Sequence, residues 1–110
     1  MKPQSTPILV QVNYTFDMSP DAYVSAVEPH AEAVAAVLGL RWKIWLIGEE
    51  KHEAAGLYLF EDAASAQAYL EGPILAPFLT NPAIHNVSVK MLHILDAPTA
   101  ITHGPVQEFI

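Results

Sequence analysis

Three short stretches carry the side chains that could do chemistry. Lys43 stands between Trp42 and Trp45, a cation flanked by indoles. His52 and Glu53 sit side by side after the run Glu49-Glu50-Lys51, an imidazole next to a carboxylate. His30 stands alone between Pro29 and a run of small and apolar residues. A lysine can hold an enolate or phenolate oxygen, and a histidine or carboxylate can take a proton if a cavity brings it to the substrate. Trp45 and Tyr58 could wall an aromatic slot, since rings supply apolar area with few rotors.

Each of these residues has a plainer reading beside the chemical one. A lysine on a strand is commonly an edge charge that blocks aggregation, and Lys90 on a later strand fits the same role. His52 and Glu53 read as a solvated hairpin connection, becoming base candidates only if the loop closes over a cavity. His30 falls on the apolar stripe of a helix, where a core histidine with one satisfied nitrogen is the commoner finding. Gln11, Asn13 and Thr15 alternate with apolar residues; they could hydrogen-bond a ligand or simply form a polar strand face. No metal site is expected: His85 and His93 lie about 26 Å apart along a strand at ~3.3 Å per residue, too far to share an ion bound at ~2 Å. The sequence has no cysteine, which excludes thiol catalysis and disulfides, and no glycine-rich phosphate loop, so no cofactor is expected.

These side chains must be positioned by short elements that the hydropathy pattern makes legible. Ile8 to Phe16 alternates, with Ile8, Val10, Val12, Tyr14 and Phe16 on one face, and reads as a strand. Ser19-Pro20-Asp21 starts a helix with a hydroxyl cap, a proline in the first turn and an early acid. Tyr23, Val27, His30, Val34, Val37 and Leu38 form its apolar stripe. Pro29 inside it predicts a kink or two abutting segments, and Gly39 closes it. Arg41 to Gly48 and Ala55 to Phe60 read as a hairpin. Asp62 caps a helix through Leu70, Gly72-Pro73 interrupts it, and a second piece runs from Ile74 to Leu79. His85 to Leu95 is the fourth strand, with Val87, Val89, Met91 and His93 on one face. Residues 97–110 contain Pro98 and Pro105 and form a C-terminal arm without a long regular element, ending in Phe109-Ile110, which need cover. Residues 1–7 are a lead-in.

The order βαββαβ predicts a single α+β domain over 1–110, a ferredoxin-like four-stranded antiparallel sheet with both helices on one face. Trp42 and Trp45 are three apart on a strand and face opposite sides, so one indole meets the helices and the other lies on the bare face. A one-residue register slip would exchange the two sets. We expect Trp45, with Lys43, at the cavity and Trp42 packed as core.

Of the 110 residues, 52% are hydrophobic and 15% charged, which excludes a disordered chain and leaves little polar surface for a monomer. A second copy covering the bare sheet face gives a homodimer. The net charge of −7 offers no basic face for nucleic acid or for an anionic membrane surface. No apolar run reaches the ~20 residues of a membrane span, and the start reads as no signal peptide. A cytoplasmic location is expected.

The block from Gly39 to Leu70 resembles the YdhR-type monooxygenases of the dimeric α+β barrel superfamily. Trp42, Lys43 and Trp45 match its Trp-Lys-x-Trp pattern. His52, Glu53 and Gly56 match His-Glu-x-x-Gly; Tyr58, Leu59 and Phe60 match Tyr-Leu-Phe. Ser65, Ala66, Ala68, Tyr69 and Leu70 match Ser-Ala-x-Ala-Tyr-Leu. The resemblance is dense over about a third of the chain and has no clear counterpart from Gly72 to Asn86. It implies a dimeric α+β barrel and a cofactor-independent oxygenase. Haem-degrading relatives in the superfamily use a histidine on the second helix, and the helix from Ala63 to Leu70 has none. The expected activity is monooxygenation of an aromatic or polyphenolic small molecule. Lys43 would hold the anion, His52 or Glu53 would be the base, and Trp45, Tyr58, Asn13 and His30 would contact the ligand. The alternatives are a non-catalytic binder of a hydrophobic metabolite, or an isomerase or decarboxylase on the same scaffold.

Overall fold

The computed structural model describes residues 6–106. Four strands, β1 (Ile8–Phe16), β2 (Leu40–Gly48), β3 (Glu53–Phe60) and β4 (Ile84–His93), form one antiparallel sheet in the order β2-β3-β1-β4. The helices are α1 (Pro20–Val27), α2 (Ala31–Ala35), α3 (Ala63–Leu70), α4 (Ala76–Leu79) and α5 (Asp96–Ile101). This is the expected α+β, ferredoxin-like arrangement. Among the described residues no helix is long and apolar enough to cross a membrane.

Local signals set these boundaries. The Ser19 hydroxyl accepts from the Ala22 N–H at 3.1 Å, and Asp62 Oδ1 accepts from the Ser65 N–H at 2.8 Å. Both satisfy donors that a helix start leaves orphaned. Pro29 splits the first helical region: a 3₁₀ turn over Glu28–His30 joins α1 to α2, because proline cannot donate the bond an unbroken helix needs there. The apolar stripe ends earlier than its spacing suggests. Helix α2 stops at Ala35, so Leu38 falls in the turn and is 78% exposed. Gly39 reverses the chain with φ +84, and a Cβ there would lie 2.3 Å from Ser65 Oγ. Both backbone and space therefore demand glycine.

Strand β1 alternates buried and half-buried along its whole length. Its buried residues join Tyr58, Phe60, Ala66 and Tyr69 in the core between sheet and helices. Two irregularities decide which side chains share that face. Leu40 pairs with Phe60 but Trp42 pairs with Leu59, so a bulge at Arg41 flips the parity of β2. Leu40 then packs on the core, Trp42 turns to the open face, and Lys43 and Trp45 face the helices opposite Tyr58 and Gly56. A second bulge between Asn13 and Thr15 sets His85 opposite Thr15 and His93 opposite Ile8. The eight-residue spacing of the two histidines would place them on one face of a regular strand; the extra residue puts them on opposite faces.

The open face holds Trp42, Ile44, Leu46, Leu57 and Leu59 with Leu9, Gln11, Asn13 and Lys90, as their pairings require. Trp42 is not part of the helix-side core: it is half-buried, and its indole N–H donates to the Pro105 carbonyl at 2.9 Å. The chain after β4 therefore returns from one sheet edge to the other. Leu59, beside Trp42, is the residue of this face that is fully buried. The arm's only described helix is the six-residue α5, and Phe109 and Ile110 lie outside the described residues.

Candidate functional site

A cavity of about 220 Å³ opens between the sheet and the helical layer. Its floor is Val12 and Tyr14 of β1 with Gly56 and Tyr58 of β3. Lys43 and Trp45 enter from β2, Tyr69 from α3, and Phe78 and Asn81 from α4 and the turn after it. His30 and Val34, from the Pro29 break and α2, stand on the remaining side.

Among the described residues, the lining of this cavity holds Lys43 and His30 and no Asp, Glu or Arg. Its Nζ sits 3.4 Å from the centroid of the Trp45 ring and 4.5 Å from that of Tyr58, within the range where ring faces attract a cation. No carboxylate of the described residues pairs with it. Burial disfavours the ammonium and pulls its pKa down to about 8. The amine is mostly charged at neutrality and loses its proton just above it.

The tyrosines solve their burial by pairing. The Tyr58 and Tyr69 hydroxyls lie 3.0 Å apart, and the Tyr14 and Tyr23 hydroxyls form a second, short pair. Burial is the main cause that raises all four pKa values above the ordinary phenol range, so the hydroxyls stay protonated at any physiological pH. Within each pair one hydroxyl donates to the other, and the second keeps a proton for another acceptor. Tyr58 and Tyr69 both line the cavity, so that spare proton is available to a ligand. The lining thus offers a cation, neutral O–H donors, the Asn81 amide and ring faces, with no carboxylate among the described lining residues.

The structure brings together Lys43, Trp45, Tyr58 and His30 and separates the others from them. Lys43 is not an edge charge: the Arg41 bulge turns it inward over the rings. His30 is not a buried core histidine; it is exposed and stands on the cavity wall. His52 and Glu53 are not in the lining. His52 takes a left-handed turn conformation, φ 52, and its exposed ring stacks on Phe16 with centroids 5.4 Å apart. Glu53 opens β3, exposed, opposite Thr15 on the open face. Asn13 points to the open face too, being at an odd position of β1. Tyr14, Tyr69 and Asn81 are the polar lining residues that sequence reasoning missed. A signal for the two tyrosines existed: each sits on a buried face, where a hydroxyl needs a partner.

The chain thus combines a ferredoxin-like sheet with a lysine in an aromatic cavity. A family model described as "Putative mono-oxygenase ydhR" matches residues 9–105, and the chain belongs to this family. A search of curated proteins finds no match. Among solved structures, a protein of unknown function from Nitrosomonas europaea, NE2512, aligns with TM-score 0.71 and 19% identity. That alignment covers 86% of this chain and 95% of that one. SnoaB, a cofactor-independent oxygenase from Streptomyces nogalater, aligns with TM-score 0.68 and 14% identity, over 84% of this chain and 96% of its own. A hydroxynitrile lyase from Passiflora edulis gives TM-score 0.65 and 11% identity, over 84% and 97%. At these identities the likeness is one of fold, and an oxygenase and a lyase on the same scaffold illustrate that fold does not fix reaction. Membership of the mono-oxygenase family supports a monooxygenase-like function.

Proposed function

We propose that the chain is a cofactor-independent monooxygenase that oxidises a phenolic or enolic aromatic molecule held over Lys43. The observation that carries this reading is an ammonium in a ring-lined cavity with no carboxylate partner among the described residues. A buried cation without a carboxylate is costly unless a ligand supplies the anion, and an electron-rich anion is the kind of organic substrate that reacts with oxygen directly. Tyr58 or Tyr69 donates to a second oxygen of the ligand, and Trp45 and Tyr58 provide ring faces.

For an anthrone-type substrate the balance is simple. The acidic CH₂ loses a proton, and the resulting carbanion, delocalised onto the oxygen beside Lys43, gives electrons to O₂ and forms a C–O bond. The peroxide anion takes a proton, Lys43 being the nearest acid in the lining. Loss of water then leaves a carbonyl, so one oxygen atom enters the product and the other leaves as water. Proton abstraction falls to His30, the other basic nitrogen of the lining, in place of His52 and Glu53.

A second copy of the chain is part of the proposal. Ile44 and Leu46 on the open face are 43% and 44% exposed and Leu92 is 44%, an apolar surface of the kind that marks an interface. A homodimer through this face is the state in which the enzyme would work.

Oxygen uptake with hydroquinones and anthrones, after dialysis against chelator, tests the reading. Wild type should consume oxygen and Lys43→Met should be slower by on the order of 10²-fold. Tight binding of these phenols without oxygen uptake would replace the oxygenase with a binding protein.

A further inference from the structure

Gly56 occupies the middle of a central strand, where glycine is a poor choice: it weakens the strand and has no side chain to pack. Its backbone gives no reason for it, since φ lies outside the positive region. The reason is space. Gly56 is buried on the cavity floor between Val12 and Trp45, and the volume a Cβ would fill is taken. Such an atom would stand 2.9 Å from Lys43 Cε, 3.0 Å from Tyr58 Cε1 and 3.5 Å from Lys43 Nζ.

We propose that Gly56 is a positioning residue for Lys43: its missing side chain is the trench across which the lysine stretches from the edge strand to the face of Tyr58. The proposal rests on the reading of Lys43 as the anion holder. Of the two groups that touch the trench, only one can yield. Tyr58 is fixed by its hydrogen bond to Tyr69 and by its stack on Phe60, with centroids 6.0 Å apart. Lys43 is a flexible tail attached at the sheet edge. A methyl at position 56 therefore expels the lysine end towards solvent and leaves the tyrosine where it is. The ammonium would then leave both ring faces and regain water.

The test is Gly56→Ala, alone and combined with Lys43→Ala. The Lys43 amine is followed by NMR of its ε-carbon through a pH titration, and stability by thermal melting. In Gly56→Ala the titration of Lys43 should move upward towards that of a solvated lysine, and the melting temperature should fall. With Lys43→Ala in place only the Tyr58 ring edge, 3.0 Å away, still bounds the trench, so adding Gly56→Ala should cost much less. An unchanged Lys43 titration, or the same melting loss with and without the lysine tail, overturns the proposal. The second comparison decides even if Gly56→Ala alone folds poorly. Binding of 4-nitrophenolate separates this from the function itself. A titration that moves while 4-nitrophenolate affinity stays constant upholds the trench and fails the anion site; a drop of tenfold or more upholds both.

Discussion

The two faces of the sheet are built from similar residues and come to opposite ends. Each carries one tryptophan from β2, one lysine and a run of aliphatic side chains. On the helix face Lys43 lies over two rings and every hydroxyl is paired. On the open face Lys90 is exposed, Gln11 lies opposite Leu57 and Asn13 opposite Ala55, and the Trp42 indole donates to the returning chain at Pro105. The difference teaches that polarity on the covered face is confined to groups satisfied in advance or waiting for a ligand. The open face keeps polar groups that can tolerate either water or a partner. One face is finished by its own chain; the other leaves Ile44, Leu46 and Leu92 exposed, the surface on which the proposed second copy would pack.

The largest effect should come from breaking the finished face. Phe60 is 0% exposed and packs against the rings of Tyr58 and Tyr69. Phe60→Ala should cost ~3–5 kcal/mol, the range for deleting a buried ring, read as a loss of unfolding free energy in urea. Equal loss from Leu92→Ala, measured on dilute protein, would erase the distinction between the faces.

A charge placed on the open face should act through assembly instead. Ile44→Asp should leave the fold intact, since Ile44 is already 43% exposed, yet weaken dimerisation by ~2 kcal/mol or more, as for a residue central to an interface. Sedimentation of wild type and variant across micromolar concentrations checks this. A wild type that sediments as a monomer throughout would remove the proposed dimer.

How far this division was legible in sequence depended on the bulges. The strand of Ile8–Phe16, both capped helix starts, the break at Pro29 and the βαββαβ order follow from period and punctuation, which are local. Trp42 and Trp45 on opposite faces follow from strand geometry alone. Which of them meets the helices does not: that turns on one extra residue at Arg41, and nothing in the alternation of β2 marks it. The same limit applies to His52 and Glu53. Their adjacency in sequence suggested a base, but a hairpin end lies away from a cavity made by the middle of the strands. Tyr69 and Asn81 reach that cavity from segments distant in the chain, so no local pattern joins them to Lys43. Gly56 is visible in sequence as a motif residue, but its closeness to the Lys43 tail depends on the shifted pairing of β2 with β3, which is not.

The smallest effect concerns the one charge on the covered face. Burial holds the folded-state pKa of Lys43 at about 8, below its ordinary 10.5. Below about pH 8 both folded and unfolded chains carry the ammonium, and the folded state bears the full cost of burying it. Between about 8 and 10.5 the unfolded chain binds a proton that the folded chain has released, so this group's contribution to stability rises with pH. Lys43→Met keeps the apolar stem and removes the cost. It should therefore be more stable than wild type at pH 7, by roughly 1–2 kcal/mol once the amine's remaining contact with water is discounted. That advantage should shrink as the pH rises through the same window. The raised tyrosines work in the opposite sense above pH 10, because the unfolded chain then loses phenolic protons that the folded one keeps. They are common to both proteins, so the difference between the two urea curves at pH 7 and pH 10 isolates the lysine. A difference that stays constant between those pH values would mean that Lys43 titrates as a solvated amine, and the covered face would then hold no charge awaiting an anion.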